Sequence, residues 1–82
     1  MYTDGNAIAG LLEEVFGRDV TAVRRICQSC ETPTAVGQHH VYRGAGLVLR
    51  CPACGHVAAS FVERDEGHGV TMYGRWLFAE TE

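Results

Sequence analysis

Apolar positions in the first sixteen residues recur with a helical period. Ile8, Leu11, Leu12, Val15 and Phe16 stand at i, i+3, i+4, i+7 and i+8, which is one face of a helix. Thr3 or Asp4 is the expected N-cap, because a side-chain oxygen there accepts a backbone N–H that the helix leaves unpaired. Gly17 follows the last periodic residue, where a left-handed C-cap is expected. The pattern predicts a helix within residues 1–18, with Glu13 and Glu14 facing water. Such a helix normally covers a sheet. The sharper alternative is a dimerisation face, if part of the stripe stays exposed.

After Asp19 the period shortens to two. Strands are predicted over residues 20–27, 36–43, 47–51, 56–64 and 69–79, with glycine-rich turns at 43–46 and 65–69. In the last strand Val70, Met72, Trp76 and Phe78 alternate with Thr71, Tyr73, Arg75 and Leu77. Tyr73, Trp76 and Phe78 read as core rather than as an aromatic platform. The fold class is therefore small and mostly β: one N-terminal α-helix followed by about five antiparallel strands, all in a single domain over 1–82.

Length sharpens this picture. A chain of 82 residues buries a low fraction of its surface, and a metal, disulfides or a partner commonly makes up the deficit. Apolar residues are 46% of the chain, too many for a disordered segment. No apolar run approaches the roughly 18 residues of a membrane span. The opening residues lack the basic and apolar regions of a signal peptide, so a cytoplasmic location with reduced thiols is expected.

All four cysteines fall into two pairs, Cys27-Gln-Ser-Cys30 and Cys51-Pro-Ala-Cys54, separated by residues 31–50. Two intervening residues let a tight turn aim both sulfurs at one ion. A two-strand excursion then brings the turns together into a tetrahedral S4 site. Cys27, Cys30, Cys51 and Cys54 are thus the candidate ligands, with zinc the favoured ion and iron the alternative, since sulfur ligation alone does not separate the two. Free buried thiols or CxxC disulfides are the plainer readings. A thioredoxin-like motif lacks its βαβ setting. Gly55 permits the left-handed backbone that points N–H groups at sulfur. Gly55, His56 and Arg50 are the expected neighbours of the ion.

With these motifs the sequence resembles the zinc-ribbon proteins with rubredoxin-type knuckles. Cys51-Pro-Ala-Cys54-Gly55 matches the CPxCG knuckle, whereas Glu31 stands where glycine is usual after Cys30. The ribbon resemblance covers about residues 22–64. The whole chain also resembles a small uncharacterised bacterial zinc-ribbon family, through Asp4–Ala7 and Leu11–Gly17 ahead of the first knuckle. The resemblance implies a fold and a metal, not a role.

Charge bears on partners. The formal net charge is −3, and four thiolates with one divalent ion would take it to about −5. Five of the seven arginines lie within residues 18–50. Arg24, Arg25 and Arg43 with Tyr42 form a candidate interaction surface for nucleic acid. The plainer reading is a solvated strand face, with Arg24, Arg25 and Arg50 offsetting the thiolate charge, and the negative total weighs against phosphate binding. His39, His40, His56 and His68 read as ordinary surface histidines or neighbours of the site. Four thiolates close a zinc site, and no nucleophile elbow, phosphate loop or HExxH motif accompanies them. The expectation is a non-catalytic, metal-stapled domain that binds a protein partner or a second copy through its helix. A nucleic-acid-binding ribbon and an iron electron carrier are the alternatives.

Overall fold

The computed structural model describes residues 3–78. It is mostly β, with one α-helix and eight strands in two antiparallel sheets among the described residues. Thr3–Asp4 forms β1, and a 3-10 turn over Gly5–Ile8 leads into α1, Ala9–Phe16. Asp4 precedes the turn without a side-chain capping bond, so the expected cap is absent. Its segment instead pairs with His40 and Val41. Gly17 closes the helix as expected, at φ 75° with its N–H donating to Glu13 O.

The strands are β2 Arg24–Ile26, β3 Pro33–Ala35, β4 His40–Arg43, β5 Leu47–Arg50, β6 Val57–Arg64, β7 Gly67–Met72 and β8 Arg75–Leu77. One sheet runs β1-β4-β5-β6-β7 and the other β3-β2-β8. The predicted strand over 20–27 keeps only its second half. Asp19 Oδ1 accepts the Thr21 N–H at 3.0 Å and the Thr21 hydroxyl at 2.8 Å, and Val23 N–H donates back to Val20 O. That side-chain turn coils the chain before β2 begins. The predicted strand over 36–43 likewise starts late, because Val36–Gln38 is a 3-10 turn. No alternation announces β3. It forms because β2 offers it a partner, and Pro33 is tolerated there because β3 is an edge strand.

The largest correction concerns residues 69–79, read as one strand. Gly74 takes φ 79°, in the left-handed region, and splits the segment into β7 of the first sheet and β8 of the second. The side-chain alternation therefore does not carry through. Val70, Met72 and Leu77 are exposed; so are Tyr73 and Phe78, contrary to the core expectation for them, and Trp76 alone of the three aromatics is half-buried. Ala79, the last residue of that expected strand, lies outside the described residues.

The core sits between α1 and the five-stranded sheet. Ile8 and Leu12 from the helical segment meet Val41, Leu49, Ala59 and Phe61, and Val20, Val23 and Val36 close one end. Leu49 opposes Ala59 while Arg50 opposes Val57, so one extra residue is inserted in β6. This bulge lets both Ala58 and Ala59 turn inward, each fully buried. At the helix end Phe16 stacks on Trp76 with ring centres 6.0 Å apart, and Phe78 lies 5.9 Å from Phe16. No helix among the described residues is long and apolar enough to cross a membrane.

Candidate metal centre

The two knuckles follow β2 and β5, and the fold brings them face to face. Each is a tight turn of one pattern. Glu31 N–H donates to Cys27 O at 2.9 Å, and Gly55 N–H donates to Cys51 O at 2.8 Å. Each first cysteine also donates its own N–H forward, Cys27 to Thr32 O and Cys51 to His56 O. The residue after each second cysteine is left-handed, Gly55 at φ 82° and Glu31 at φ 61°. Glu31 is the only non-glycine residue with positive φ among those described. The knuckle geometry imposes a glycine conformation on it despite its Cβ.

All four Sγ atoms lie within 4.8 Å of one another. The contacts between knuckles are 3.6 Å for Cys27–Cys54 and 3.7 Å for Cys30–Cys51. A tetrahedron of sulfurs around zinc at ~2.3 Å has edges of about 3.8 Å, so the cross-knuckle pairs already have metal-site spacing. They are far beyond the ~2.05 Å of a disulfide bond, and the four cysteines are free. Cys27 and Cys51 are buried while Cys30 and Cys54 reach the surface, so the cluster has a core side and a solvent side.

The electrostatics favour a cation at the centre. Burial opposes ionisation of Cys27, but the N–H groups of Cys30 and Ser29 and the neighbouring thiols outweigh it and bring its pKa down to about 6. The hydroxyl and N–H of Thr32 lower that of Cys30. At Cys54 the His56 N–H favours the thiolate, yet burial and the other three cysteines together push its pKa up to about 11. Four thiolates repel one another strongly, and a metal ion held among them would supply the compensation.

Arg50, Gly55 and His56, expected beside the site, make contacts around the second knuckle. Arg50 donates to Gly55 O at 2.9 Å, and its guanidinium lies 5.6 Å above the Tyr42 ring. His56 Nε2 meets Gln28 Nε2 at 3.2 Å, tying the second knuckle to the first. Gln28 and Thr32 escaped the sequence reading. Thr32 was within reach, since it holds the place in the first knuckle that His56 holds in the second.

The candidate interaction surface does not survive intact. Arg24 and Arg43 are exposed, but Arg25 is 0% exposed. Val23, Arg25 and Cys27 alternate inward along β2, so Arg25 takes an inner position. Its Nε donates to Tyr73 O at 3.0 Å and its Nη1 meets His39 Nε2 at 3.4 Å. His39 is likewise fully buried and no surface histidine. Nδ1 of His39 lies 2.9 Å from Ala35 O, an acceptor, which places the proton on Nδ1 and leaves Nε2 to accept from Arg25. Burial, with Arg25 nearby, holds the His39 pKa below its usual value. His68 lies half-buried beside α1, 3.9 Å from Glu14.

The sequence matches the model of a family of unknown function, DUF6510, over residues 1–81. The chain belongs to this family. No curated protein and no solved structure matches it. In this DUF6510 chain the four clustered cysteines could hold a metal ion.

Proposed function

We propose that the chain is a non-catalytic zinc-ribbon domain in which Cys27, Cys30, Cys51 and Cys54 hold a structural Zn²⁺. Its surface serves as a protein-interaction or accessory module. The observation that carries the reading is the sulfur arrangement: four Sγ atoms within 4.8 Å, paired across the knuckles at 3.6 and 3.7 Å. Four thiolates complete a tetrahedral shell and leave no open position for substrate or water, the arrangement of a structural site. The ion's contribution there is to neutralise thiolate charge and close the loop between the knuckles. A working place in a reducing compartment, the cytoplasm, accords with four free thiols.

The exposed apolar side chains support the interaction role. Val70, Met72, Tyr73, Leu77 and Phe78 lie on or next to β7 and β8, the edge strands of the two sheets, and Val62 lies on β6 opposite Gly69. Ile8 and Leu12 of the helical stripe are taken up by the chain's own core, so these edge strands, more than the helix, are the surface left for a protein or a second copy. The nucleic-acid reading loses Arg25 to burial. What supports it is Arg50 over Tyr42 beside Arg43.

Elemental analysis and the visible spectrum of natively purified protein test the reading. One zinc per chain and a colourless protein are expected. One iron with thiolate charge-transfer bands would make the domain a rubredoxin-like carrier, and less than a tenth of an equivalent of any metal would overturn the reading. Salt-dependent anisotropy with single-stranded DNA and RNA tests the nucleic-acid alternative, for which no binding is expected at 150 mM salt.

A further inference from the structure

Arg25 is the largest fully buried side chain described in the protein, and its surroundings do not neutralise it. Its two partners, Tyr73 O and the unprotonated Nε2 of His39, are uncharged acceptors. The third nitrogen, Nη2, is buried without a hydrogen-bond partner. No carboxylate among the described residues pairs with Arg25, and the contact between His68 and Glu14 lies elsewhere. A buried guanidinium held by neutral groups is costly unless a negative charge lies near enough to compensate it.

The fold directs the Arg25 side chain toward the first knuckle. Arg25 and Cys27 are both fully buried and alternate on the same side of β2. A Cβ built on Gly74 would lie 3.0 Å from Nη2 of Arg25 and 2.6 Å from the carbonyl oxygen of Ile26. The unpartnered nitrogen therefore sits beside the peptide that leads into Cys27. Gly74 leaves room for this approach, and it also borders the cavity lined by Ile26, Cys27 and Glu31. Four thiolates with one divalent ion carry a net charge of −2, and little water intervenes to screen it on the buried side of the cluster.

We propose that Arg25 is the internal counter-cation of the metal–thiolate centre, held in place by Tyr73 O and His39 and positioned to stabilise the dianionic, metal-loaded form. The proposal rests on the metal reading above. Its consequence is that Arg25 opposes folding of the metal-free domain and favours metal retention in the loaded one. Arg25 is thus a positioning residue acting through electrostatics, and a purely structural residue would not reverse its effect with metal loading.

The test compares wild type, Arg25→Lys, Arg25→Met and, as a surface control, Arg24→Met. Zn²⁺ affinity is read by competition with a chromogenic chelator, after elemental analysis has shown that the wild type holds one equivalent. Arg25→Met should bind Zn²⁺ at least tenfold more weakly. Arg25→Lys should recover most of that loss, and Arg24→Met should change it less than threefold. In iron-loaded protein the Fe(III)/Fe(II) midpoint should fall in Arg25→Met, because the reduced centre carries the extra negative charge. A tenfold change in relative stability of the two states is ~59 mV for one electron. Equal losses in the Lys and Met variants would mean that shape and hydrogen bonding, not charge, explain Arg25, and an unchanged midpoint would overturn the proposal even if Arg25→Met bound zinc weakly through poor folding. A wild type without metal would instead remove the metal reading, and the counter-cation with it.

Discussion

Glu31 gives the sharpest test of how the knuckles are built. It occupies the left-handed region at φ 61°, and its counterpart Gly55 does so at φ 82°. An L-residue held there costs about 1–2 kcal/mol relative to its preferred conformations. Glycine relieves this but loses more freedom on folding, which returns about 0.5–1 kcal/mol. Glu31→Gly should therefore stabilise the domain by about 0.5–1 kcal/mol. For a chain of this size that is a rise of roughly 2–8 °C in Tm. Removing a carboxylate from the edge of an anionic cluster acts in the same direction. Glu31→Gln separates the two causes, because it removes the charge and keeps the backbone conformation, and its effect should stay within about 0.5 kcal/mol. Gly55→Ala is the reciprocal change and should destabilise by roughly 1 kcal/mol. Reversible urea unfolding in excess zinc, followed by Trp76 fluorescence, measures all three. If Glu31→Gly left the midpoint unchanged or lowered it while Gly55→Ala was neutral, the argument from knuckle geometry would be refuted.

Other perturbations have equally definite outcomes. Stripping zinc with a chelator should abolish the cooperative thermal transition, since the ion's binding energy is folding energy in so small a domain; retention of the transition would refute the staple. Cys27→Ser and Cys51→Ser remove the two buried cysteines of the proposed site and should each cut zinc content well below one equivalent by elemental analysis. Leu12 is fully buried beneath the sheet, so Leu12→Ala should cost about 2–5 kcal/mol in urea unfolding, whereas Met72→Thr on the exposed edge should cost less than about 0.5 kcal/mol. The depressed pKa of His39 means that the unfolded chain takes up this proton first as pH falls through about 6.5. Its contribution to stability is complete above that pH and declines toward the folded pKa. The stability difference between wild type and His39→Gln should therefore shrink across that acid window, and a constant difference would exclude the neutral, Arg25-bonded imidazole.

What could be read from the chain alone depended on how local its cause is. The helix stripe from Ile8 to Phe16, the Gly17 cap and both knuckles are set by residues a few positions apart, and all stand where the pattern put them. So do β5 and β6, whose alternation survives because both lie within the five-stranded sheet. The failures are at places where a distant segment decides. β3 exists because β2 runs alongside it. Residues 70–78 alternate almost without fault, yet Gly74 hands them from one sheet to the other, and nothing within that stretch states how far the turn goes.

Arg25 belongs to the same class of failure, and it links the fold to the site. In the sequence it is one of a pair of adjacent arginines, and the two read alike. In the fold, Arg24 points to solvent and Arg25 reaches the Tyr73 carbonyl where β7 ends. Its side chain therefore spans the junction at which the two sheets part, between the strand that leads into the first knuckle and the strand that leaves the core. Gly74 borders both the Arg25 guanidinium and the cavity that Cys27 lines, so the turn that divides residues 69–79 is also the feature on which the proposed counter-cation depends. A larger residue at 74 would be both strained at φ 79° and pressed against Arg25. Gly74→Ala should accordingly weaken zinc binding as well as stability, although it lies twenty residues from the nearest cysteine in sequence. A loss of stability with zinc affinity unchanged would show that the sheet junction and the metal centre are independent.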